Sequence, residues 1–458
     1  MVHSQDPSTW PSTWIHNHRA LLDALVPWTV ERAAREVPFY RRHWKDAWRK
    51  VKTAKDLWHL PVLRKEDAVA QQHALLASSC GVGSYAGVIS SGTQHGDRRP
   101  LRVARIPQER DALAAFLDHP ARPAVPPAAS DPGMVLELRS MQHGLPDAPP
   151  PLDVLRLPWA FTANTFRLVE ELLTHPQPNG RRITGLLLGA GAIMPVTSWF
   201  LEKDVDPRSF GITEIGTTGF RLSRFWRDVV EDAWGAPVFD NFSLSEFTTP
   251  ALSCQRCGFN HWLDPPVVAE VVDPTSTRPV ASGGVGVLVL TGLFPFVQAM
   301  PLIRYWTGDL VEQGPLCPES AMPGIRWLGR HSQTPTWRPA AKRAPQTLVA
   351  PVDLVDFLES SPQVGRIPHP VQTLGLIKSQ ECGPPRYTLR FDTARPPNIT
   401  VAVELRFDPR IHLEAALAFA NALEAHLHAC APALRRSKAG LQVDLFGPGQ
   451  LAATWSKF

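Results

Sequence analysis

The stretch that most restricts the fold is Ile183-Thr184-Gly185-Leu186-Leu187-Leu188-Gly189-Ala190, where apolar side chains follow one another instead of alternating with polar ones. A strand apolar on both faces needs cover on both faces, the situation of a parallel sheet between helices. Similar runs recur at Ile212-Thr213-Glu214-Ile215 and Val238-Phe239-Asp240, separated by a segment whose Phe225, Val229 and Val230 share one helical face. A strand at 135–138 and an apolar helix over 160–174 precede them. Strands alternating with helices at this spacing predict an α/β fold, with a large N-terminal domain of mostly parallel sheets flanked by helices. Upstream, 13–37 reads as helix, interrupted at Pro27 and stopped at Pro38, and a further helix is expected over 108–118.

From residue 267 the texture changes to extended segments at 267–272 and 286–291, which predict a smaller, more antiparallel β subdomain. The polar, proline-bearing stretch 331–346 reads as a boundary. Beyond it the pattern gives a helix over 352–359, strands over 372–378, 386–392 and 399–406, a long helix and a strand over 441–446. In the long helix Leu413, Ala416, Ala420, Leu423, Leu427 and Cys430 fall on one face. Two domains are expected, 1–330 and a small α+β domain over 331–458.

Composition excludes some functions. Against 47 Lys and Arg stand 43 Asp and Glu, a formal charge of +4 over 458 residues, with no basic run interleaved with aromatics. Nucleic acid is therefore not expected as a partner. No stretch reaches the ~18 uninterrupted apolar residues of a membrane span. The start of the chain carries Asp6, Trp10 and Trp14 where a signal peptide needs a clean apolar core. A cytoplasmic protein is expected, with a homodimer left open. Proline, 46 residues, is about double its usual share and reads as stiff surface loops.

The motif that first suggests chemistry is Ser90-Ser91-Gly92-Thr93-Gln94-His95-Gly96-Asp97-Arg98-Arg99, directly after a small apolar run. Gly92 and Gly96 let successive N–H groups point into one concavity, Ser90, Ser91 and Thr93 add hydroxyl donors, and two arginines add charge, which suits a polyphosphate. A ligand-free turn has the same composition, so the loop gains meaning from four later stretches. These are Gly216-Thr217-Thr218-Gly219 before a helix, Asn241-Phe242-Ser243-Leu244-Ser245-Glu246 after a strand, Pro301-Leu302-Ile303-Arg304-Tyr305-Trp306-Thr307-Gly308-Asp309, and Leu328-Gly329-Arg330.

In order and spacing these five stretches resemble the adenylate-forming superfamily, and within it the phenylacetate–CoA ligase branch, to which Val37-Pro38-Phe39-Tyr40 and Leu60-Pro61 with Lys65 are also similar. The resemblance covers nearly the whole chain. It implies an ATP- and Mg²⁺-dependent enzyme in which a small, aromatic or similar carboxylic acid attacks the α-phosphate of ATP, and the acyl-adenylate passes to a nucleophile. By the same resemblance Ser90 to Gly96 would hold the outer phosphates, Ser245 would donate to the α-phosphate, and Glu246 would bind Mg²⁺. Asp309 and Arg330 would hold the ribose, Gly219 would lie against adenine, and Phe242 stands where the family's tyrosine flanks the nucleotide. The last residues, Phe446 to Lys457, resemble the loop that carries a catalytic lysine, Lys457 here. Trp159, Phe161, Gly189, Ala190, Gly191 and Thr217 line the acid pocket by analogy; the aromatics are equally well read as core.

Departures from the family bear on the second half-reaction. Phe220 stands where an acidic residue is usual. His331-Ser332-Gln333-Thr334 lacks the hinge carboxylate of the mobile domain, and Lys342-Arg343-Ala344-Pro345-Gln346 lacks the glycine of the pantetheine path. The acceptor is therefore left among coenzyme A, a carrier-protein thiol and an amine, and a non-catalytic nucleotide- or acyl-binding descendant is the alternative reading. Finally, Cys254, Cys257, His261 and Cys317 have the residue types of a closed structural zinc site, and some relatives carry cysteines in the same two places. Reduced buried cysteines beside an incidental histidine are the other reading.

Overall fold

The unalternating run forms the strand Ile183–Gly189, the middle of a five-stranded sheet ordered Val154–Trp159, Met134–Ser140, Ile183–Gly189, Glu214–Thr218, Val238–Asp240. Every neighbouring pair is parallel. The structure is a computed structural model that describes residues 6–15, 17–80, 86–89, 100–121, 133–140, 153–247, 249–262, 267–318, 322–340, 344–392, 394 and 396–452. The expected α/β class is observed. The chain forms two compact units: Met1–Ser130, Met141–Pro149 and Phe242–Arg326 make the first, and Asp131–Ser140, Pro150–Asn241 and Trp327–Phe458 the second.

The second unit holds the parallel sheet. Its helices Ala163–Thr174, Ala190–Glu202 and Arg224–Trp234 start and stop on local signals. Thr162 accepts the N–H of Thr165 at 3.2 Å and Ser223 that of Trp226 at 3.2 Å, while Gly235 closes the third helix at φ +66°. Phe166, Ile193 and Trp226 from these helices bury against Leu136, Leu186 and Ile215 of the sheet. The strand order reverses direction beside Met134–Ser140. In open parallel sheets, ligands bind outside the carboxyl ends of the strands at such a reversal, which here lies at the end of the strand closing on Gly189.

The rest of this unit carries a three-stranded sheet. Tyr387–Phe391 runs antiparallel to Ile399–Glu404, which runs parallel to Leu441–Phe446. The crossover helix Leu413–Cys430 buries Ala416, Leu423 and Leu427 with Val401 and Val403. The strand expected over 372–378 does not form. Pro370 at the first helical position, with a capping box between His369 and Gln372, starts the short helix Pro370–Thr373 instead. Val371, Ile377 and Cys382 then bury in the core of the parallel sheet. The strand Val154–Trp159, unexpected because Arg156 and Pro158 break its pattern, is an edge strand, where such residues are tolerated.

A further sheet, in the first unit up to Arg326, is ordered Val267–Val272, Val285–Gly292, Tyr305–Leu316, Pro323–Arg330, Asn260–His261, Leu252–Ser253, with antiparallel pairing at both ends, as expected for the β subdomain. Ala86–Ile89 pairs antiparallel with Arg102–Arg105. The helix His18–Glu36 runs through Pro27 without the expected interruption. Pro38 ends it and begins another, Pro38–Trp44, because proline suits a first helical position. Among the described residues no helix is long and apolar enough to cross a membrane.

Candidate functional site

In the first unit the chemistry gathers around Glu246. Phe242 and Ala251 exchange backbone hydrogen bonds of 3.0 and 2.7 Å, and the Phe247 N–H closes on the Leu244 carbonyl at 3.0 Å. Ser245 and Glu246 thus sit on a tight loop. The Glu246 carboxylate, 6% exposed, accepts the Tyr305 hydroxyl on Oε1 at 3.0 Å and has the Lys65 ammonium 3.6 Å from the same oxygen. The buried Arg105 guanidinium donates to the Glu246 carbonyl at 2.5 Å. Arg105 lies 3.9 Å from Glu109, whose other oxygen accepts the N–H groups of Gln298 and Ala299 at 2.7 and 2.8 Å. Burial pushes the Glu109 carboxyl up, and Arg105 and those N–H groups oppose it.

Asp309 is buried on the strand Tyr305–Leu316, two steps from Thr307 and four from Tyr305, so the strand's alternation puts the three on one face. The Thr307 hydroxyl donates to the Leu288 carbonyl at 3.0 Å and accepts the Asp309 N–H at 3.0 Å, fixing the backbone at the carboxylate. Arg304, in the same motif, does something different. Fully buried at φ +50°, it pairs with Glu270 at 3.0 Å and donates to the carbonyls of Leu60 at 2.6 Å and Thr277 at 2.8 Å. It ties three segments together and is consumed by that task. Burial pushes the Glu270 carboxyl up and Arg304 pulls it back.

The four candidate metal ligands also come together in this unit. The donor atoms of Cys254, Cys257, His261 and Cys317 all lie within 4.8 Å of one another, with Cys254 and Cys317 sulfurs 3.9 Å apart and Cys257 Sγ 3.0 Å from His261 Nε2. Gly258 at φ +74° makes the turn that brings the first two cysteines round. A Cβ on Gly324 would stand 2.7 Å from the His261 ring, so glycine is needed for that ring's position.

The second unit holds the remaining candidates. Gly189, Ala190 and Gly191 lead from the central strand into a helix at the sheet's carboxyl edge, Trp159 ends the edge strand, and Phe161 packs edge-on to Trp159 at 5.7 Å. Thr217 is fully buried and its hydroxyl donates to Asp240 at 2.9 Å. Burial pushes the Asp240 carboxyl up to about 6, against the Thr217 hydroxyl, Arg227, Arg221 and the Leu222 N–H. Gly219 follows at φ +97° with open space where a Cβ would be. Arg330 ends its strand and its carbonyl accepts the Thr334 hydroxyl at 2.7 Å. Ser90, Ser91, Gly92, Thr93, Gly96 and Lys457 lie outside the described residues.

Sequence reasoning missed Tyr305 and Arg105 as contributors. Tyr305 was legible, since strand alternation places it on the face of Asp309. Arg105 carries no local signal, because its partner Glu246 is distant in the chain.

No family model matches the chain. It is 43% identical over 115 residues to a phenylacetate–coenzyme A ligase from Thermus thermophilus, a match covering 24% of this chain and 25% of that one. The matched segment thus spans a quarter of the length of that relative. A 2-hydroxyisobutyryl-CoA ligase solved in an open conformation with 2-HIB-AMP and CoA superposes with a TM-score of 0.62 at 18% identity, covering 99% of this chain and 93% of that one. The same ligase in its postadenylation state with R3-HIB-AMP gives 0.61 at 18% identity, over 99% and 91%. The chain therefore has the fold of the adenylate-forming ligases, with a segment similar in sequence to a phenylacetate–coenzyme A ligase, as its motifs led us to expect.

Proposed function

We propose that the chain is an ATP-dependent ligase that activates a small, aromatic or similarly compact carboxylic acid as its acyl-adenylate and passes the acyl group to a nucleophile. The observation that carries this reading is the buried Glu246 carboxylate, oriented by the Tyr305 hydroxyl, with the Lys65 cation beside it. In the first step an oxygen of the acid bonds to the α-phosphorus while the bond from that phosphorus to the bridging oxygen breaks, and pyrophosphate leaves with the electron pair. Negative charge gathers on the phosphoryl oxygens, so fixed cations and donors aimed at them lower the barrier. Lys65 and the Ser245 hydroxyl are such groups, Asp309 and Arg330 suit the ribose hydroxyls, and Ser90 to Gly96 and Lys457 keep the roles that the resemblance gives them.

The residues fit magnesium. Among the described residues the Tyr305 hydroxyl and the Lys65 ammonium meet the Glu246 carboxylate at Oε1, and a carboxylate is the hard oxygen donor that ion prefers. A bound magnesium ion would offset charge on the phosphates. The cysteine and histidine cluster fits zinc: ligands ~2.0–2.3 Å from one ion must stand roughly 3.5–3.8 Å apart, and the 3.0 and 3.9 Å edges bracket that spacing. Its role would be to close the loop 254–261 onto Cys317.

The test is pyrophosphate exchange into ATP across a panel of aryl and short-chain acids. Exchange dependent on one acid is expected. A folded protein that binds ATP by calorimetry but supports exchange with no acid would instead favour the non-catalytic descendant, for which Phe220 and the altered 331–346 stretch speak. For the acceptor, we expect adenylation to outrun thioester formation with coenzyme A, because 331–346 lacks the hinge carboxylate and the pantetheine-path glycine. Parallel incubations with coenzyme A, hydroxylamine, a phosphopantetheinyl carrier protein and amines decide this, and a thioester formed with coenzyme A as fast as AMP would overturn it. Metal analysis of protein purified without chelator should find about one zinc per chain.

A further inference from the structure

Glu246 is held at two points, and the two lines of support meet. Its side chain accepts the Tyr305 hydroxyl at 3.0 Å. Its main chain is held separately: Arg105 Nη2 donates to the Glu246 carbonyl at 2.5 Å, although 141 residues of chain separate the two. Arg105 closes the strand Arg102–Arg105, and Glu109 stands one turn further on, in the first turn of the helix Pro107–Leu117. Arg105 Nε lies 3.9 Å from Glu109 Oε2, while Glu109 Oε1 accepts the N–H groups of Gln298 and Ala299 at 2.7 and 2.8 Å. From there the chain runs directly into the motif that carries Tyr305. Tyr40 fastens the start of that motif, donating to the Pro301 carbonyl at 2.8 Å and accepting the Ile303 N–H at 2.9 Å. Arg105, Glu109, the segment 298–305, Tyr305 and Glu246 thus form a closed ring of bonds.

Arg105 is 6% exposed and Glu109 4% exposed. A buried ion pair stabilises little against a well-packed apolar pair, so its use has to be sought in the geometry that it fixes. The planar guanidinium sends one nitrogen to a carbonyl and another towards a carboxylate, which an ammonium, a point charge, does not do in fixed directions. The carbonyl that it holds belongs to the residue whose carboxylate suits magnesium. That ion asks for near-ideal octahedral geometry with oxygens at ~2.0–2.1 Å, so a small shift of the Glu246 main chain moves the carboxylate out of reach.

We propose that Arg105 is a positioning residue for the ligase reaction: through the Glu246 carbonyl it sets where the Glu246 carboxylate stands to receive magnesium and its nucleotide. It acts through the main chain of Glu246. The magnesium and nucleotide rest on the ligase reading; the tie between Arg105 and the loop 244–247 does not.

The experiments use the full chain and separate the two. Arg105→Met alone leaves Glu109 buried without its cation, so the informative variant is Arg105→Met combined with Glu109→Gln. Its carboxamide oxygen still accepts the Gln298 and Ala299 N–H groups, and no buried charge is stranded. The denaturant midpoint of the combined variant should recover more than half of what Arg105→Met loses. In deuterium uptake, peptides covering 242–251 should exchange at least about tenfold faster in the combined variant than in the native chain, with peptides covering 285–292 unchanged. Native protection of 242–251 would overturn the tie. In calorimetry, the gain in ATP affinity that magnesium confers should shrink at least about fivefold, with the affinity for metal-free ATP changed less than about twofold. In the exchange assay the half-saturating magnesium should rise by a similar factor, and the KM of the acid should not move. A native gain from magnesium in the combined variant would leave Arg105 a structural pair and remove the positioning role. If the native chain itself gains nothing from magnesium, the metal role of Glu246 and the positioning role fall together, and deuterium uptake still decides the tie. If no acid supports exchange, the ligase reading falls, and calorimetry still decides whether Arg105 positions the metal ligand.

Discussion

Both units bury charge, and they differ in what surrounds it. The first spends its interior on charge: Arg304 with Glu270, Arg105 with Glu109, and Lys65 with Glu246 are buried or nearly so. The second pairs Arg366 with Glu381 and Arg386 with Glu404, and around its parallel sheet it sets Gly189, Gly191, Trp159 and Phe161 with an Asp240 carboxyl that burial pushes up. Buried charges cost desolvation and persist where geometry and hydrogen bonds compensate. The comparison teaches that buried charge persists in either unit where it is paired, and that the second unit adds to it a run of small and aromatic residues at the end of its central strand.

The largest effect that would sharpen this contrast is at Arg304. Arg304→Met leaves Glu270 buried without its guanidinium partner and should cost about 3–5 kcal/mol in denaturant unfolding; a loss under ~1 kcal/mol would mean the charged interior is not needed for stability. Next is Asp240, whose carboxyl titrates near 6 when folded and near 4 when unfolded. Between those values the folded chain binds more protons, so stability falls as pH rises from about 4 to about 6, by at most ~3 kcal/mol. Asp240→Asn should flatten that slope, and a slope unchanged in the variant would assign it elsewhere.

Third comes Glu246→Gln, which keeps the shape and the Tyr305 contact but removes a full charge. It should cut pyrophosphate exchange at least ~tenfold, about 1.4 kcal/mol, with unfolding little changed. Exchange at the native rate would take the metal role from this residue. The smallest is Thr307→Val, which deletes the hydroxyl between Asp309 and Leu288 and should cost about 1 kcal/mol of stability. If it also raises the KM of ATP, Asp309 positioning depends on that hydroxyl; a neutral variant would show that the strand alone suffices.

Much of the fold was legible because its signals are local. Unbroken apolar runs marked the buried parallel strands, and the face of the helix Leu413–Cys430 was readable from its spacing. The failures were local signals overruled by context. The residues over 372–378 carry strand-like apolar content, but Pro370 and the Gln372 cap start a helix, and burial of Val371 and Ile377 completes it. The edge strand Val154–Trp159 hid because Arg156 and Pro158 are unwelcome in a central strand and tolerated at an edge.

The candidate site divides in the same way. Ser245, Glu246, Asp309 and the four cysteine and histidine ligands could be singled out from residue type and spacing alone, since a motif is a short-range object. The partners that give them an environment could not. Tyr305 reaches Glu246 across 59 residues of chain, and Lys65 and Arg105 come from other segments altogether. The sequence by itself determined the fold class, the elements of the parallel sheet and which residue types could carry the chemistry. Only the tertiary structure decided that Arg304 is a structural tie, that burial pushes the Asp240 carboxyl up, and that the four candidate metal ligands converge, because burial and pairing depend on what the rest of the chain brings near and no local pattern encodes them.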